Sequence, residues 1–250
     1  GLEPDTNSLD KLVSALKMMG ADEVYDTTFG ADLTVMEEAD EFLERLKKGG
    51  PFPMFTSCCP AWVKYVEEER PHLLKNISTC KSPMEMFAAV LKDQYAKKDA
   101  EDGRTTYHIA VMPCTAKKME AKRPEFQHDG KPDVDLVLTT QEIITMIKES
   151  GIRFAELEGE SPEMPFGMGT GAAVIFGTPG GVAGGRGVKL GGIPGAQEEE
   201  QPRHILLVEG EVLRRQHRLF HEGRRVIAQL GGDLLIELFV VPHGGVTLAE

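Results

Sequence analysis

The sequence predicts an α/β protein in which short buried strands alternate with amphipathic helices. Apolar runs such as HIAVMP (108–113) and DVDLVLTT (133–140) have the length of buried strands, and helical patterns of ten or more residues accompany them. The chain has 250 residues, 41% of them hydrophobic, which suffices for one large domain or for two lobes with cores of their own. Such alternation favours a largely parallel sheet, whose ligands lie at the carboxyl ends of the strands.

Apolar spacing and chain breakers predict four elements before the first cysteines. LDKLVSALKMM (9–19) is a helix that stops at Gly20, and ADEVYD (21–26) is a short strand. ADLTVMEEADEFLERLKK (31–48) is an amphipathic helix that ends before two glycines and a proline. PMFT (53–56) is predicted to be a strand that runs into the cysteine pair.

Capping signals predict the helices that follow the cysteine pair. Pro60 suits the first turn of a helix that extends to about Glu69. Ser82 and Glu85, three residues apart, predict a capped helix that opens at Pro83. Thr140 starts the helix QEIITMIKES after the strand 133–140, and Gly151 stops it. The cysteine pair and Cys114 therefore fall at the carboxyl ends of predicted strands.

Composition excludes several classes of function. The net charge of −12 argues against a nucleic-acid surface, which needs clustered lysine and arginine. No apolar run approaches the roughly 18 to 20 residues that span a bilayer, so no membrane insertion is expected. The start, GLEPDTNSLD, lacks the features of a signal peptide. We therefore expect a cytoplasmic protein, and a chain that does not begin with Met is expected to start inside a longer one.

The four cysteines lie at positions 58, 59, 80 and 114, without the spacing of a disulfide framework. Cys58 and Cys59 are adjacent, and neighbouring side chains of an extended segment point to opposite faces. One thiol can then bind a metal while the other faces a different cavity. The alternative is a pair of packed thiols at a turn.

Cys114 follows Pro113 and precedes two lysines, Lys117 and Lys118. A thiolate near ammonium groups has a depressed pKa and can act as a nucleophile or a metal ligand. The alternative is a small buried residue beside solvated lysines. The local chemistry alone leaves both interpretations open.

Six segments are the most specific: ADLTVMEEADEFL, TSCCPAW, KSPMEMF, MPCTAKKMEA, TTQEIITMIK and FGTPGGV. Together they resemble the catalytic domain of FeFe hydrogenases, in that family's order and spacing, and the similarity runs from about Leu9 to Val182. The resemblance implies two lobes, each with a small mainly parallel sheet flanked by helices, and a cluster pocket between them. It also implies a hydrogenase-like domain over 1–183 that is incomplete, followed by a divergent tail over 184–250.

The resemblance implies an H-cluster, in which a 4Fe-4S cluster is joined to a di-iron subcluster with CO, cyanide and azadithiolate. Cys59 and Cys114 resemble metal ligands, and Cys58 resembles the thiol that passes protons. A thiol titrates at about 8.5, near enough to neutrality to give and take a proton. Lys117 resembles the donor to a cyanide, and Met112, Ser82 and Pro113 resemble residues that surround the cofactor.

The resemblance also implies a proton relay from solvent to Cys58. Glu38 and Glu41 lie three residues apart on the 31–48 helix and hence on one face. With Ser78, and with Arg45 near the surface end, they match the family's relay. The alternative, which composition alone would favour, is a solvated acidic face.

Three departures from the family pattern are visible. Met84 stands where the family usually has Gln, and Cys80 where it has a small residue, which we interpret as structural. No cysteine follows Cys114, although a 4Fe-4S cluster normally takes four thiolates. Beyond Gly184 the basic residues change from 15 Lys and 5 Arg to 1 Lys and 7 Arg, which suggests a frame change or a misassembled gene end near Gly181. The stretch GMGTGA (167–172) lacks the strand that a dinucleotide site needs.

The implied reaction is the reversible reduction of protons to H2, with a ferredoxin-like electron carrier and with cluster maturation proteins as partners. Because two cluster cysteines are missing, this chain is expected to be inactive by itself. The alternative is a hydrogenase-like iron–sulfur protein without hydrogen chemistry, such as a cytosolic iron–sulfur assembly protein or a nuclear binding protein. A third possibility is an inert truncated gene product. The complete relay set favours the enzyme.

Overall fold

The computed structural model describes residues 8–167 and the backbone of 238–242. Its described residues fall into two compact units. The first unit contains 31–80, and the second contains 8–30, 81–167 and 238–242. Apart from Gly167 and the strand at 238–242, the GMGTGA stretch, the region around Gly181 and the predicted tail lie outside the described residues. The domain boundary at 183 thus stays a prediction.

Six α-helices are present in the described residues. They are α1 (Ser8–Met18), α2 (Thr28–Lys48), α3 (Pro60–Glu69), α4 (Pro83–Asp102), α5 (Ala116–Glu120) and α6 (Thr140–Glu149). All five predicted helices are confirmed, and α5 is an addition. None of the helices in the described part of the chain is both long and apolar enough to cross a membrane.

The strands form one four-stranded sheet and one hairpin. They are β1 (Ala21–Asp26), β2 (Ile109–Met112), β3 (Gln127–His128), β4 (Lys131–Pro132), β5 (Leu136–Thr139) and β6 (Leu238–Pro242). The sheet has the order β1-β6-β2-β5, and β3 pairs with β4. Strands β2 and β5 are parallel, as predicted, whereas β6 runs antiparallel to both β1 and β2. The predicted α/β class is confirmed, with a sheet that is mixed because of β6.

The predicted strand at 53–56 does not form. Phe55 makes a single parallel bridge to Ile77, and this bridge is the only β-pairing among the described residues of the first unit. Pro53 has no N–H to donate to a ladder, which limits the pairing of this segment. The expected small sheet of this lobe is therefore reduced to one bridge within 31–80.

Helices cover both faces of the four-stranded sheet in the second unit. Ala110 and Met112 of β2 pack in one apolar cluster with α4, while Val111 packs in the other with α1 and α6. This alternation follows from the period of two in a strand. Because β2 is held from both sides, its carboxyl end at Met112 is fixed, and Cys114 follows it two residues later.

Gly30 lies where α2 meets the start of α4. A Cβ on Gly30 would lie 2.4 Å from the carbonyl oxygen of Pro83 and 2.9 Å from Cβ of Phe87. In an open helix, Gly→Ala would stabilise by about 0.5–1 kcal/mol. Here the nearest atom belongs to the backbone, and moving it would cost more free energy than moving the end of a flexible side chain. We expect Gly30→Ala to destabilise the protein by about 1–3 kcal/mol in urea unfolding.

The control for this substitution is Glu37→Ala, at an exposed position of the same helix. Surface changes of this kind stay within about 0.5 kcal/mol. A Gly30→Ala protein as stable as the unsubstituted one would show that Gly30 is not in this close contact with Pro83 and Phe87.

Candidate functional site

The loop after β2 places Cys114 at the start of α5. Cys114 is half-buried, and its carbonyl oxygen accepts a hydrogen bond of 3.3 Å from the backbone N–H of Lys117. Pro113, predicted to contact the cofactor, is exposed. The thiol therefore lies at the carboxyl end of a buried strand, where the sequence predicts a ligand.

Lys117 is buried and ion-paired. Its Nζ donates to Oε2 of Glu120 at 2.7 Å, and both side chains are almost completely shielded from solvent. The next lysine, Lys118, instead pairs with the exposed Glu142. The two adjacent lysines thus have different environments, and Lys117 is the buried one, bonded to Cys114 through its backbone N–H.

Met112 and Ser82 have structural roles in addition to their predicted place at the cofactor. Met112 is fully buried in the apolar cluster on the α4 side of the sheet. Ser82 is the N-cap of α4, and its Oγ accepts from the backbone N–H of Glu85 at 3.4 Å. Both side chains are therefore fixed by contacts within the second unit.

The cysteine pair lies just before α3 in the first unit. Cys59 is the N-cap residue, with extended φ and ψ of −98° and 107°, and it is exposed. Its side chain makes no capping bond, and Pro60 occupies the first helical position. Cys58 is half-buried, and its Sγ donates to Oγ1 of Thr56 at 3.8 Å. The two thiols differ in exposure, as opposed side-chain directions predict.

Glu41 accepts hydrogen bonds at both carboxylate oxygens. Its Oε2 accepts from Oγ of Ser78 at 2.7 Å and from the backbone N–H of Thr79 at 3.0 Å. Its Oε1 accepts from Nε and Nη2 of Arg45 at 3.0 and 2.5 Å. The structure therefore brings together three of the four residues predicted to form a proton relay.

The hydrogen bonds determine the charge of Glu41. Burial by itself would raise the pKa of this carboxyl, but the donors Ser78, Arg45 and the Thr79 backbone outweigh it and lower the pKa below its ordinary value. Glu41 is therefore ionised at neutral pH.

Arg45 also holds the chain segment before Ser78. Its guanidinium donates to the carbonyl oxygens of Lys75, Asn76 and Ile77 at 3.3, 3.2 and 2.7 Å. An arginine in such a fork of acceptors has a fixed orientation and keeps its proton. Arg45 consequently positions Glu41 and the 75–78 backbone.

Glu38 and Cys80 extend this polar cluster. Glu38 lies nearly one turn before Glu41 on α2 and is fully buried. Cys80 is half-buried, and its Sγ donates to Oε2 of Glu41 at 3.7 Å. Burial, with further contributions from the charges of Glu38 and Glu41, raises the pKa of Cys80 to about 12. Cys80 thus stays a neutral thiol, which agrees with its interpretation as a structural residue.

The cysteines of this chain do not fit a complete 4Fe-4S cluster. Such a cluster takes four thiolates, and Cys80 is held protonated beside two carboxyls. Cys59 and Cys114 remain as the predicted ligands, and Cys58 as the thiol predicted to transfer protons. Within 8–167, no group of three or more His, Cys, Asp or Glu side chains is placed to hold a metal ion.

We did not identify two buried acidic residues, Glu120 and Glu85, from the sequence. Glu120 follows Lys117 by three residues, a spacing that could have identified the pair. Glu85 was interpreted only as a partner in helix capping, yet its side chain is fully buried. A glutamate between Met84 and Met86 on an apolar helix face was the available signal.

Comparisons with known proteins agree with this architecture. Residues 1–190 match the model of the family described as "Iron only hydrogenase large subunit, C-terminal domain". The chain resembles a solved variant of [FeFe]-hydrogenase HydA1 from Chlamydomonas reinhardtii, with a TM-score of 0.60 and 43% identity. That match covers 69% of this chain and 44% of the other.

Curated relatives fall into two groups. Iron hydrogenase 1 of Clostridium pasteurianum is 46% identical over 172 residues, which are 69% of this chain and 30% of that protein. Cytosolic iron-sulfur assembly component 3 of Rattus norvegicus is 36% identical over 160 residues, 61% of this chain and 34% of that protein. The chain spans about a third of the length of these relatives. With a family model that matches 190 of its 250 residues, the chain belongs to the iron-only hydrogenase large subunit family, in its C-terminal domain.

Proposed function

We propose that this chain carries the proton-transfer part of an FeFe hydrogenase catalytic domain, together with two of its cluster thiolates. The proposed reaction is the reversible reduction of protons to H2 with electrons from a ferredoxin-like carrier. The observation that supports it is the hydrogen-bonded set of Arg45, Glu41 and Ser78, which has the composition and order of the predicted relay.

The chemistry of this set suits proton transfer. Glu41 is ionised and can accept a proton at Oε2, where the Ser78 hydroxyl already donates. A hydroxyl both gives and takes a proton, so Ser78 can pass one on without a lasting charge. We assign the next positions to Glu38, buried on the same helix, and to the Cys58 thiol.

Arg45 has a different role in this proposal. A guanidinium keeps its proton at any pH the protein tolerates, so it cannot carry protons along the path. Its bonds to Glu41 and to three backbone carbonyls hold the carboxylate in place at the solvent end. Arg45 therefore acts as a positioning residue.

Cys59 and Cys114 are the proposed iron ligands, and Lys117, with Met112, Ser82 and Pro113, would lie next to the bound cofactor. Two thiolates cannot complete a four-thiolate cluster. We therefore propose that the isolated chain does not evolve H2, even when maturation proteins are supplied. Ligands from elsewhere would be required.

A second candidate function is that of an iron–sulfur protein without hydrogen chemistry. The observation that favours it is the similarity to the cytosolic iron-sulfur assembly component. Such a protein has no use for a buried carboxylate that is held ionised beside a serine hydroxyl. The Glu41 cluster thus favours the hydrogenase assignment, and the relay experiment below separates the two.

Iron content tests the ligand assignment. After anaerobic reconstitution with ferrous iron and sulfide, we expect clearly fewer than about four irons per chain, and more iron when an external thiol fills the open positions. Cys59→Ser and Cys114→Ser should each lower the iron content.

The matched control is Cys80→Ser, which should leave iron binding unchanged because its thiol faces Glu41. Four irons per chain without external thiol, or an equal loss in Cys80→Ser, would contradict the two-ligand assignment.

Transfer of residues 31–80 into the algal HydA1 hydrogenase tests the relay. We expect the chimera to evolve H2 from reduced methyl viologen, and Glu41→Gln in the chimera to lower the rate by about 10²-fold or more. Glu44→Gln is the control, since Glu44 is exposed on the same helix and forms an ion pair with Lys48.

A chimera that loads its cluster, as shown by iron content, but evolves no H2 would refute the relay and favour the second candidate. Equal rates of H2 evolution in Glu41→Gln and Glu44→Gln would refute the role of Glu41 in the relay.

Ser78→Ala tests the cause of the Glu41 ionisation. Loss of a donor to a charged group should raise the pKa of Glu41 and lower the stability at neutral pH by about 1.5–3 kcal/mol. Because the folded pKa of Glu41 lies below its ordinary value of 4.5, its stabilisation is present above that pH. The difference between the two proteins should therefore shrink as the pH falls below about 4.5.

Carbon-13 NMR of labelled glutamate and urea unfolding at several pH values provide the measurement. Thr79→Ala is the control, because Thr79 donates through its backbone N–H, which the substitution keeps. If the Glu41 titration were the same in Ser78→Ala as in the parent chain, the hydrogen bond would have no influence on its charge.

A further inference from the structure

Glu85 is a buried carboxyl that the proposed proton path does not use. It lies in the first turn of α4, its side chain has 0% exposure, and neither carboxyl oxygen has a hydrogen-bond partner among the described residues. An ionised carboxylate in such a place is strongly disfavoured. The neutral acid is the form that this site tolerates.

The charges of four groups act on Glu85: two lie on α5, one lies just before α4, and one lies between β4 and β5. We call the set the buried charge cluster; it consists of Lys81, Glu85, Lys117, Glu120 and Asp133. Two ion pairs organise it, Lys117 with Glu120 at 2.7 Å and Lys81 with Asp133 at 2.6 Å. His128, which is largely exposed, also contacts Asp133 through Nδ1 at 2.6 Å.

Charge balance in the cluster depends on the proton of Glu85. The two lysines are each neutralised by a carboxylate, Glu120 or Asp133, so an ionised Glu85 would leave one uncompensated negative charge. Burial first, and then the charges of Glu120 and Asp133, raise the pKa of Glu85 to about 8, while the lysines oppose this more weakly. With Glu85 protonated, the two ion pairs balance.

We propose that Glu85 is a proton-storing group whose occupancy follows the charge at Lys117. A negative group that approaches the Lys117 ammonium would make Glu85 hold its proton more tightly, and its departure would release that proton to solvent. The second unit would thus couple one proton to the charge near the Cys114 loop. This inference rests on the buried charge cluster alone and is independent of the relay through Glu41.

Carbon-13 NMR of the glutamate carboxyls tests the inference on the chain as it is, without cofactor. Glu85→Gln identifies the Glu85 signal, which should titrate with a midpoint of about 8. Lys117→Met should move the midpoint upward, because it removes a cation that favours the ionised form. Lys118→Met is the matched control and should not move it, since Lys118 pairs with Glu142 instead.

A midpoint below about 5, close to that of an ordinary glutamate, would overturn the proposal. An equal midpoint in Lys117→Met and Lys118→Met would also overturn it, because Glu85 would then not respond to Lys117. Circular dichroism establishes that each variant is folded before its titration is interpreted.

Calorimetry tests proton storage at Glu85 even if Lys117→Met does not fold. At pH 6.5 the folded chain keeps the Glu85 proton, whereas the unfolded chain, with its ordinary pKa, loses it. Unfolding should therefore release about one proton more from the unsubstituted chain than from Glu85→Gln, measured in buffers of different ionisation enthalpy. As the pH rises from about 5 to 8, Glu85→Gln should gain stability relative to the unsubstituted chain. Equal proton release in both proteins would refute proton storage.

Discussion

The fold of the first unit depends on one ionised carboxylate, that of Glu41, which is partly shielded from water. A buried carboxylate is tolerated only when donors surround it, and Glu41 receives them from Arg45, Ser78, the Thr79 backbone and Cys80. These bonds join α2 to the segment before α4 and fix the backbone from position 75 to 80. The proposed proton path and the orientation of Arg45 follow from this one group, which also adds to the effect of burial on the Cys80 thiol.

Glu41 and Glu85 show how environment assigns opposite roles to one residue type. Glu41 is partly buried but hydrogen-bonded, and the pKa of its carboxyl is lowered. Glu85 is fully buried with no donor in the described residues, and burial beside other carboxylates raises the pKa to about 8. With pKa values shifted in opposite directions, Glu41 would be the proton acceptor of the proposed path, and Glu85 the proposed proton store, at the same pH.

Local signals predicted the helices well and the non-local contacts poorly. Ser82 and Pro83 identified the start of α4, and the strand at 21–26 was predicted at its observed bounds. The prediction of a strand at 53–56 was wrong. A strand needs a paired neighbour along its length, and this segment pairs only through the single bridge to Ile77. Helical spacing placed Glu38 and Glu41 on one face, whereas no local pattern shows that Cys80 would donate to Glu41 or that carboxylates would surround Glu85.

The sheet order has a consequence for how this polypeptide matures. β6 lies between β1 and β2, although more than a hundred residues separate it from either strand in the chain. During synthesis on a ribosome, β1 and the inner side of β2 therefore keep open edges until residues 238–242 have emerged. Long-range pairing of this kind is slow, and open edges favour association between chains. Nascent copies would accordingly depend on chaperones that shield strand edges.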